Sequence, residues 1–346
     1  MIDRRAMLLG GLLAPAAARA QRKAPPPARP RFYARGTLER EVRFPGTGGV
    51  TLAGTLLLPI WSEIERVPGV VLVAGSGPTD RNGNNGLIAE RVDLLKQIAA
   101  LLAAAGIATL RYDKRGIGAS TQRPQGSLAE QEAFFAWDHF VGDVAAAHAE
   151  LLRHDEIKSY ATALLGHSEG GLLVLAAAPT ITRHPPHGMV LVSTPGRPLS
   201  VILHEQIARG APALVAAADK AVAAIQATGH VPTGLPRELA LLFPPYAGPF
   251  LQHLLAFDPA QALRRSKMPC FLLQGAADTQ VVPMADVQPL IDAMGARGAP
   301  GEAIVIPGVS HNLKTVTWPS DPGFAGPLAP AAAAKLTAWL TQLLGA

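Results

Sequence analysis

Charged residues are scarce, at 16% of the 346 residues, against roughly 25% in an average globular protein. Hydrophobic residues make up 49%. Disorder along the whole chain is therefore excluded, because such chains are charge-rich and poor in apolar residues. A single cysteine, Cys270, rules out an internal disulfide framework and any multi-cysteine zinc site. Glycine (34) and proline (31) together are about a fifth of the chain, below the roughly 25–30% that marks low complexity. No repeat recurs at a fixed period. The net charge is +5, but basic residues are scattered, with one short cluster at Arg22, Lys23, Arg29 and Arg31. Ordinary surface charge and a basic tail explain that balance, so no nucleic-acid partner is expected.

Residues 1–20 read MIDRRAMLLGGLLAPAAARA. A charged start, an apolar run from Ala6 to Ala18 and the sequence Ala18-Arg19-Ala20 form the three-part pattern of a secretory signal. The run is shorter than the about 20 residues that span a bilayer, and Pro15 interrupts it. No stable membrane insertion is expected once the signal is removed. Arg4-Arg5 resembles a twin-arginine export pair, although no Phe stands two residues beyond it. Cleavage before Gln21 and a periplasmic or extracellular mature chain are expected. Residues 21–37 are basic and proline-rich, which favours an extended tether over helix or sheet.

From Leu38 onward short β-type runs alternate with helical patterns. Glu39–Phe44 and Val50–Leu58 alternate apolar and polar residues around PGTGG, as a hairpin does. VVLVA at 70–74 is a continuous apolar run, suited to a strand buried on both faces. Strands are expected at Ile107–Tyr112, Ala161–Leu165, Gly188–Ser193, Cys270–Gln274 and Ala303–Ile306. Helices are expected around Leu94–Leu101, Phe140–Leu152, Gly170–Ala178, Val287–Met294 and Ala331–Leu344. This order predicts an α/β fold, a mainly parallel sheet with helices on both faces. Its core comprises residues 38–196 and 267–346. Residues 197–266 lose the alternation and read as a helical cap insertion.

Gly166-His167-Ser168-Glu169-Gly170 fits G-x-S-x-G between a strand and an apolar helix. There the sharp turn lifts the serine side chain out at the strand's carboxyl end, and the following helix directs its N-terminal dipole toward the hydroxyl. A serine hydroxyl needs a base, and the base an orienting acid. The chain order expected on this scaffold is Ser, then Asp or Glu, then His. Asp278 follows CFLLQ in GAADTQV and His311 follows AIVI in PGVSHNL. Both lie just past the carboxyl ends of strands, where open α/β sheets hold ligands. Ser168, Asp278 and His311 are thus the candidate catalytic residues.

The alternatives are weaker. His167 reads as packing, and His139, His148 and His154 as helix residues. His204, His230 and His253 sit in the cap region and could line a pocket. Asp258, Asp286 and Asp292 read as helix caps or solvated charges. The oxyanion of a tetrahedral intermediate calls for two N–H donors. Those of Glu169 and of Ser76, with Gly77 as the fallback, are the candidates. A phosphate cradle at Gly75–Asp80 is disfavoured, because the loop lacks a Gly-Lys-Ser/Thr ending. No metal or organic cofactor is called for.

Four blocks, AGSGPTDRNG at 74–83, RYDKRGIGAS at 111–120, GHSEGG at 166–171 and QGAADTQV at 274–281, together resemble the α/β-hydrolases. Within them the chain is similar to bacterial EstD-type esterases, related to dienelactone hydrolases and serine aminopeptidase-like hydrolases. The resemblance covers residue 38 to the end. It implies a serine esterase acting on a small-molecule ester through Ser168, Asp278 and His311. Ser168 stands where dienelactone hydrolases carry cysteine, which argues against that exact activity. Arg111, Asp113 and Arg115 read as one structural charge network. An aminopeptidase-like or thioester hydrolase with the same triad is the alternative; a peptidase would need an acidic clamp, with Glu169 and Asp80 as candidates. A non-catalytic binding module on the same fold is the third reading, and an intact triad argues against it.

Overall fold

The computed structural model describes residues 36–60, 66–318 and 320–346. The expected signal peptide and residues 21–35 of the tether lie outside the described residues. Among the described residues eight strands form one sheet in the order β1-β2-β4-β3-β5-β6-β7-β8. β1 (Thr37–Pro45) and β2 (Thr51–Pro59) form an antiparallel hairpin, and β2 is also antiparallel to β4 (Ala108–Tyr112). From β4 onward, β3 (Val67–Val73), β5 (Ile157–His167), β6 (Gly188–Val192), β7 (Cys270–Gly275) and β8 (Gly301–Ile306) run parallel.

The central strands are mostly apolar because both faces are covered. Val71, Leu164, Leu191 and Leu272 point into one core cluster. Their neighbours Val70, Leu165, Val190 and Phe271 point into the other. The period of two residues along a strand produces this division. Helices α1 (Leu94–Ala104) and α11 (Pro330–Leu344) pack on the second face. Helices α3 (Trp137–Leu151), α4 (Glu169–Ala177) and α10 (Gln288–Ala296) pack on the first.

One short helix, α2 (Leu128–Phe134), was not expected from the apolar pattern. Its signal is a capping box: Ser127 Oγ accepts from the Glu130 N–H, and the Glu130 carboxylate accepts from the Ser127 N–H. Between β6 and β7 the chain runs through α5 (Leu199–Gly210), α6 (Val215–Thr228), α7 (Arg237–Leu242), α8 (Gly248–Ala256) and α9 (Pro259–Arg265). Among the described residues, three side-chain contacts tie this helical segment and the residues leading into it to the rest. Arg197 pairs with Asp286, the Gln206 amide donates to the Gln280 carbonyl at 3.0 Å, and His230 meets Glu132 of α2 at 2.9 Å. Asp286, read from sequence as a cap residue or solvated charge, is instead buried in the first of these pairs. Among the described residues no helix is long and apolar enough to cross a membrane.

Candidate active site

Ser168 sits at the junction of β5 and α4 with φ 55° and ψ −123°. A left-handed backbone at a non-glycine residue is strained by on the order of 1–3 kcal/mol, and the flanking elements hold it there. Gly166 and Gly170 make the turn possible. A Cβ on Gly166 would strike the Gly170 carbonyl, and one on Gly170 would strike the carbonyls of Val73 and Ala74 in β3 and its loop. The glycines of the motif are thus required by backbone-to-backbone approach.

Asp278 lies in the loop after β7 and His311 in the loop after β8. His311 Nδ1 and Asp278 Oδ2 are 2.8 Å apart, and both side chains are buried. Oδ1 of Asp278 accepts the backbone N–H groups of Gln280 and Val281 at 2.8 and 2.9 Å. Its Oδ2 also accepts from the Gln274 amide at 2.8 Å. Since a carboxylate only accepts, Nδ1 carries the proton, and Nε2 is the ring nitrogen left for other chemistry. Ser168 and His311 line the same cavity, but no hydrogen bond joins Ser168 Oγ to the imidazole. The carboxylate–imidazole half of the expected line is formed and the imidazole–hydroxyl half is open.

His167 does not face Ser168 as a base. Its Nε2 donates to the backbone carbonyl of His311 at 3.1 Å, and Ser193 Oγ donates to the same oxygen at 2.8 Å. Burial, reinforced by the nearby His311 ring, pushes the His167 imidazole down to about 3. It stays neutral at ordinary pH and anchors the backbone of residue 311. Neither pattern nor spacing in the sequence marked this role.

Ser76, Ser168, Glu169 and His311 meet around one narrow opening of about 20 Å³. The Ser76 and Glu169 N–H groups have no protein acceptor among the described residues. The Glu169 carboxylate, which could have complemented its own helix terminus, instead pairs with buried Lys114 at 3.2 Å. Arg111, Asp113 and Arg115 do not pair with one another. They reach Glu39, Arg81 and Asp143 respectively, at 2.7, 2.8 and 2.7 Å.

Two further cavities flank the opening. One, of about 70 Å³, is walled by His311, Asn312, Thr79 and Asn85 among others. The other, of about 450 Å³, lies beneath the helical segment between Leu199, Phe250, Leu254, Phe135 and Phe140. Leu199 and Leu254 also border the narrow opening, so it leads into this larger space. The three cap-region histidines line none of these cavities. His204 meets Asp219, His230 meets Glu132, and His253 meets the Pro249 carbonyl. Among the described residues no group of three His, Cys, Asp or Glu side chains is placed to hold a metal ion.

Residues 86–240 match the family Hydrolase_4, described as Serine aminopeptidase, S33. No curated protein matches the chain in sequence. Among solved structures, a puromycin-hydrolysing peptidase of Mycobacterium tuberculosis superposes with a TM-score of 0.57 at 19% identity, over 88% of this chain and 40% of its own. The acetyl xylan esterase from Paenibacillus sp. R4 gives 0.56 at 17%, over 89% and 85%. A Pyrococcus furiosus esterase gives 0.55 at 15%, over 89% and 91%. The chain spans about two fifths of the length of the puromycin-hydrolysing relatives. The chain thus has the α/β-hydrolase fold, and residues 86–240 of it are similar to the serine aminopeptidase family.

Proposed function

We propose that this hydrolase cleaves carboxylic esters with short or medium acyl groups through Ser168, His311 and Asp278. The observation that carries the reading is the buried Asp278–His311 pair at 2.8 Å beside a serine on a strained strand-to-helix turn. His311 Nε2 takes the Ser168 proton as Oγ attacks the ester carbonyl. The imidazolium that forms is stabilised by Asp278. The Ser76 and Glu169 N–H groups receive the oxyanion. His311 then protonates the departing alkoxide, and the same nitrogen activates water against the acyl-enzyme. The serine–imidazole contact closes when substrate enters, as apo geometries of this kind commonly do.

The proton transfer also orients the substrate. The alcohol must lie on the imidazole side, in the smaller cavity beside Asn312. The acyl group then runs past Leu199 and Leu254, through the narrow opening and toward the apolar space beneath the helical segment. A medium chain fits that direction.

Peptide cleavage is the second reading, prompted by the matched family's description. It needs a free carboxylate for the substrate amine. Glu169 is paired with Lys114, and Asp80 Oδ1 accepts the N–H groups of Asn82 and Asn84 in its own loop. Glu169 is neutralised by Lys114 and one oxygen of Asp80 is committed to its own loop, which favours the ester. Ester, thioester and aminoacyl-anilide substrates assayed side by side on wild type and Ser168→Ala test the reading. Hydrolysis of the ester, lost by about 10⁴-fold or more in the variant, is the expected result. An unchanged rate in the variant overturns it. Export is part of the same proposal and rests on residues 1–20 alone; the exported protein should begin at Gln21 by N-terminal sequencing, and an intact start would refute it.

A further inference from the structure

One ammonium group bridges the two segments that carry the proposed oxyanion donors. Lys114 follows β4 and is 4% exposed in its side chain. Its Nζ donates to the Gly75 carbonyl at 2.5 Å and to Glu169 Oε1 at 3.2 Å. The Gly75 carbonyl belongs to the same peptide unit as the Ser76 N–H. In a planar trans peptide the C=O and N–H point in opposite directions. A bond that fixes the oxygen therefore fixes where the Ser76 N–H is aimed. A cation on the oxygen also polarises the amide and strengthens the N–H as a donor. The second contact is to the side chain of Glu169, whose own N–H is the other donor. A group tied to both segments sets their separation.

The neighbouring Arg115 offers a contrast. It is equally buried, yet its guanidinium goes to Asp143 and to the carbonyls of Phe134 and Thr47. Those contacts join β-hairpin to helix and touch neither oxyanion segment. A buried cation that served packing alone would have the second kind of surroundings.

We propose that Lys114 is a positioning residue of the oxyanion hole, orienting the Gly75–Ser76 peptide and holding the turn after Ser168 against it. The proposal rests on the reading of Ser168 as nucleophile and of the Ser76 and Glu169 N–H groups as its oxyanion donors. It involves no proton transfer by Lys114, whose role is to hold two backbone donors in place before the oxyanion forms.

The test compares wild type, Lys114→Met, Glu169→Gln and the Lys114→Met/Glu169→Gln double variant. The double variant guards against misfolding, since it leaves no unpaired carboxylate buried. Each is assayed with a p-nitrophenyl ester for kcat and KM. Each is also titrated with an aliphatic trifluoromethyl ketone, which forms a tetrahedral oxyanion on the serine. Lys114→Met and the double variant should lose roughly tenfold or more in kcat, within the range for a weakened oxyanion donor. KM should stay within about twofold, because an interaction made only in the transition state is removed. Affinity for the ketone should fall by the same factor as kcat. A double variant with the kcat and ketone affinity of Glu169→Gln alone would show that Lys114 merely neutralises Glu169, and would overturn the proposal. So would a folded Lys114→Met protein with wild-type kcat. A wild type that neither hydrolyses the ester nor binds the ketone would instead overturn the underlying esterase reading, and this proposal with it.

Discussion

The floor and the roof of the site are built from opposite materials. The floor is a set of loops leaving parallel strands and is rich in hydrogen bonds: Asp278 alone accepts from two backbone N–H groups, an amide and an imidazole. The roof is the helical segment 199–265, whose inner wall is apolar and aromatic. It meets the floor through few polar anchors, Arg197–Asp286 and Gln206–Gln280 among them. Hydrogen-bonded geometry is directional and fixes atoms to fractions of an ångström, as proton transfer requires. Apolar packing is non-directional and tolerates volume-conserving change. The floor is thus suited to invariant chemistry and the roof to selecting what enters.

That contrast can be broken most strongly at Asp278. Asp278→Asn keeps the shape of the acid but lets His311 adopt the wrong tautomer, and kcat should fall by roughly 10⁴. Stopped assays with and without the variant measure this; a loss below tenfold would mean that Asp278 does not orient the base.

A smaller effect is expected at His167, where the floor is anchored. Its imidazole is held down to about 3 by burial and by the His311 ring, whereas an unfolded histidine titrates near 6.5. Between those values the unfolded chain binds the proton and the folded chain does not, so stability falls as pH drops from about 6.5 toward 3. The loss is on the order of 5 kcal/mol at most. His167→Gln retains a donor for the His311 carbonyl without a titrating ring. Its denaturant midpoint should depend less steeply on pH over that window; parallel curves for both proteins would contradict the assignment.

The smallest effect belongs to the roof. Phe250 packs against Phe140 and Trp137 at ring distances of 4.9 and 5.6 Å and borders the large cavity. Phe250→Ala enlarges that space. It should cost about 1–2 kcal/mol of stability, less than a fully buried phenylalanine. The ratio of kcat/KM for longer over shorter acyl esters should rise several-fold, with kcat on a short ester nearly unchanged. Equal shifts on every chain length would place the acyl group elsewhere.

Much of this was legible in the chain. The continuous apolar runs marked the buried strands, and loop positions after Cys270–Gly275 and Gly301–Ile306 brought Asp278 and His311 to one end of the sheet. The edges were blurred by a few residues, because apolar runs do not mark where ladder bonds stop. Helix α2 leaves no apolar stripe in the sequence; its signal is a cap at Ser127 and Glu130. Asp286 looks like a cap or a surface charge because the cation that neutralises it in the interior, Arg197, is far away in sequence. Lys114 was indistinguishable from Asp113 and Arg115 beside it.

Sequence alone determined the α/β order, the strand-to-helix serine turn and the order of the three candidate residues. Each of these rests on local periodicity or on the steric needs of a few adjacent residues. Tertiary structure decided which carboxylate found which cation, how His167 came to hold the His311 backbone, and how large a space the helices enclose. Those outcomes depend on which distant segments meet, and a buried charge acquires its meaning only from the group that neutralises it.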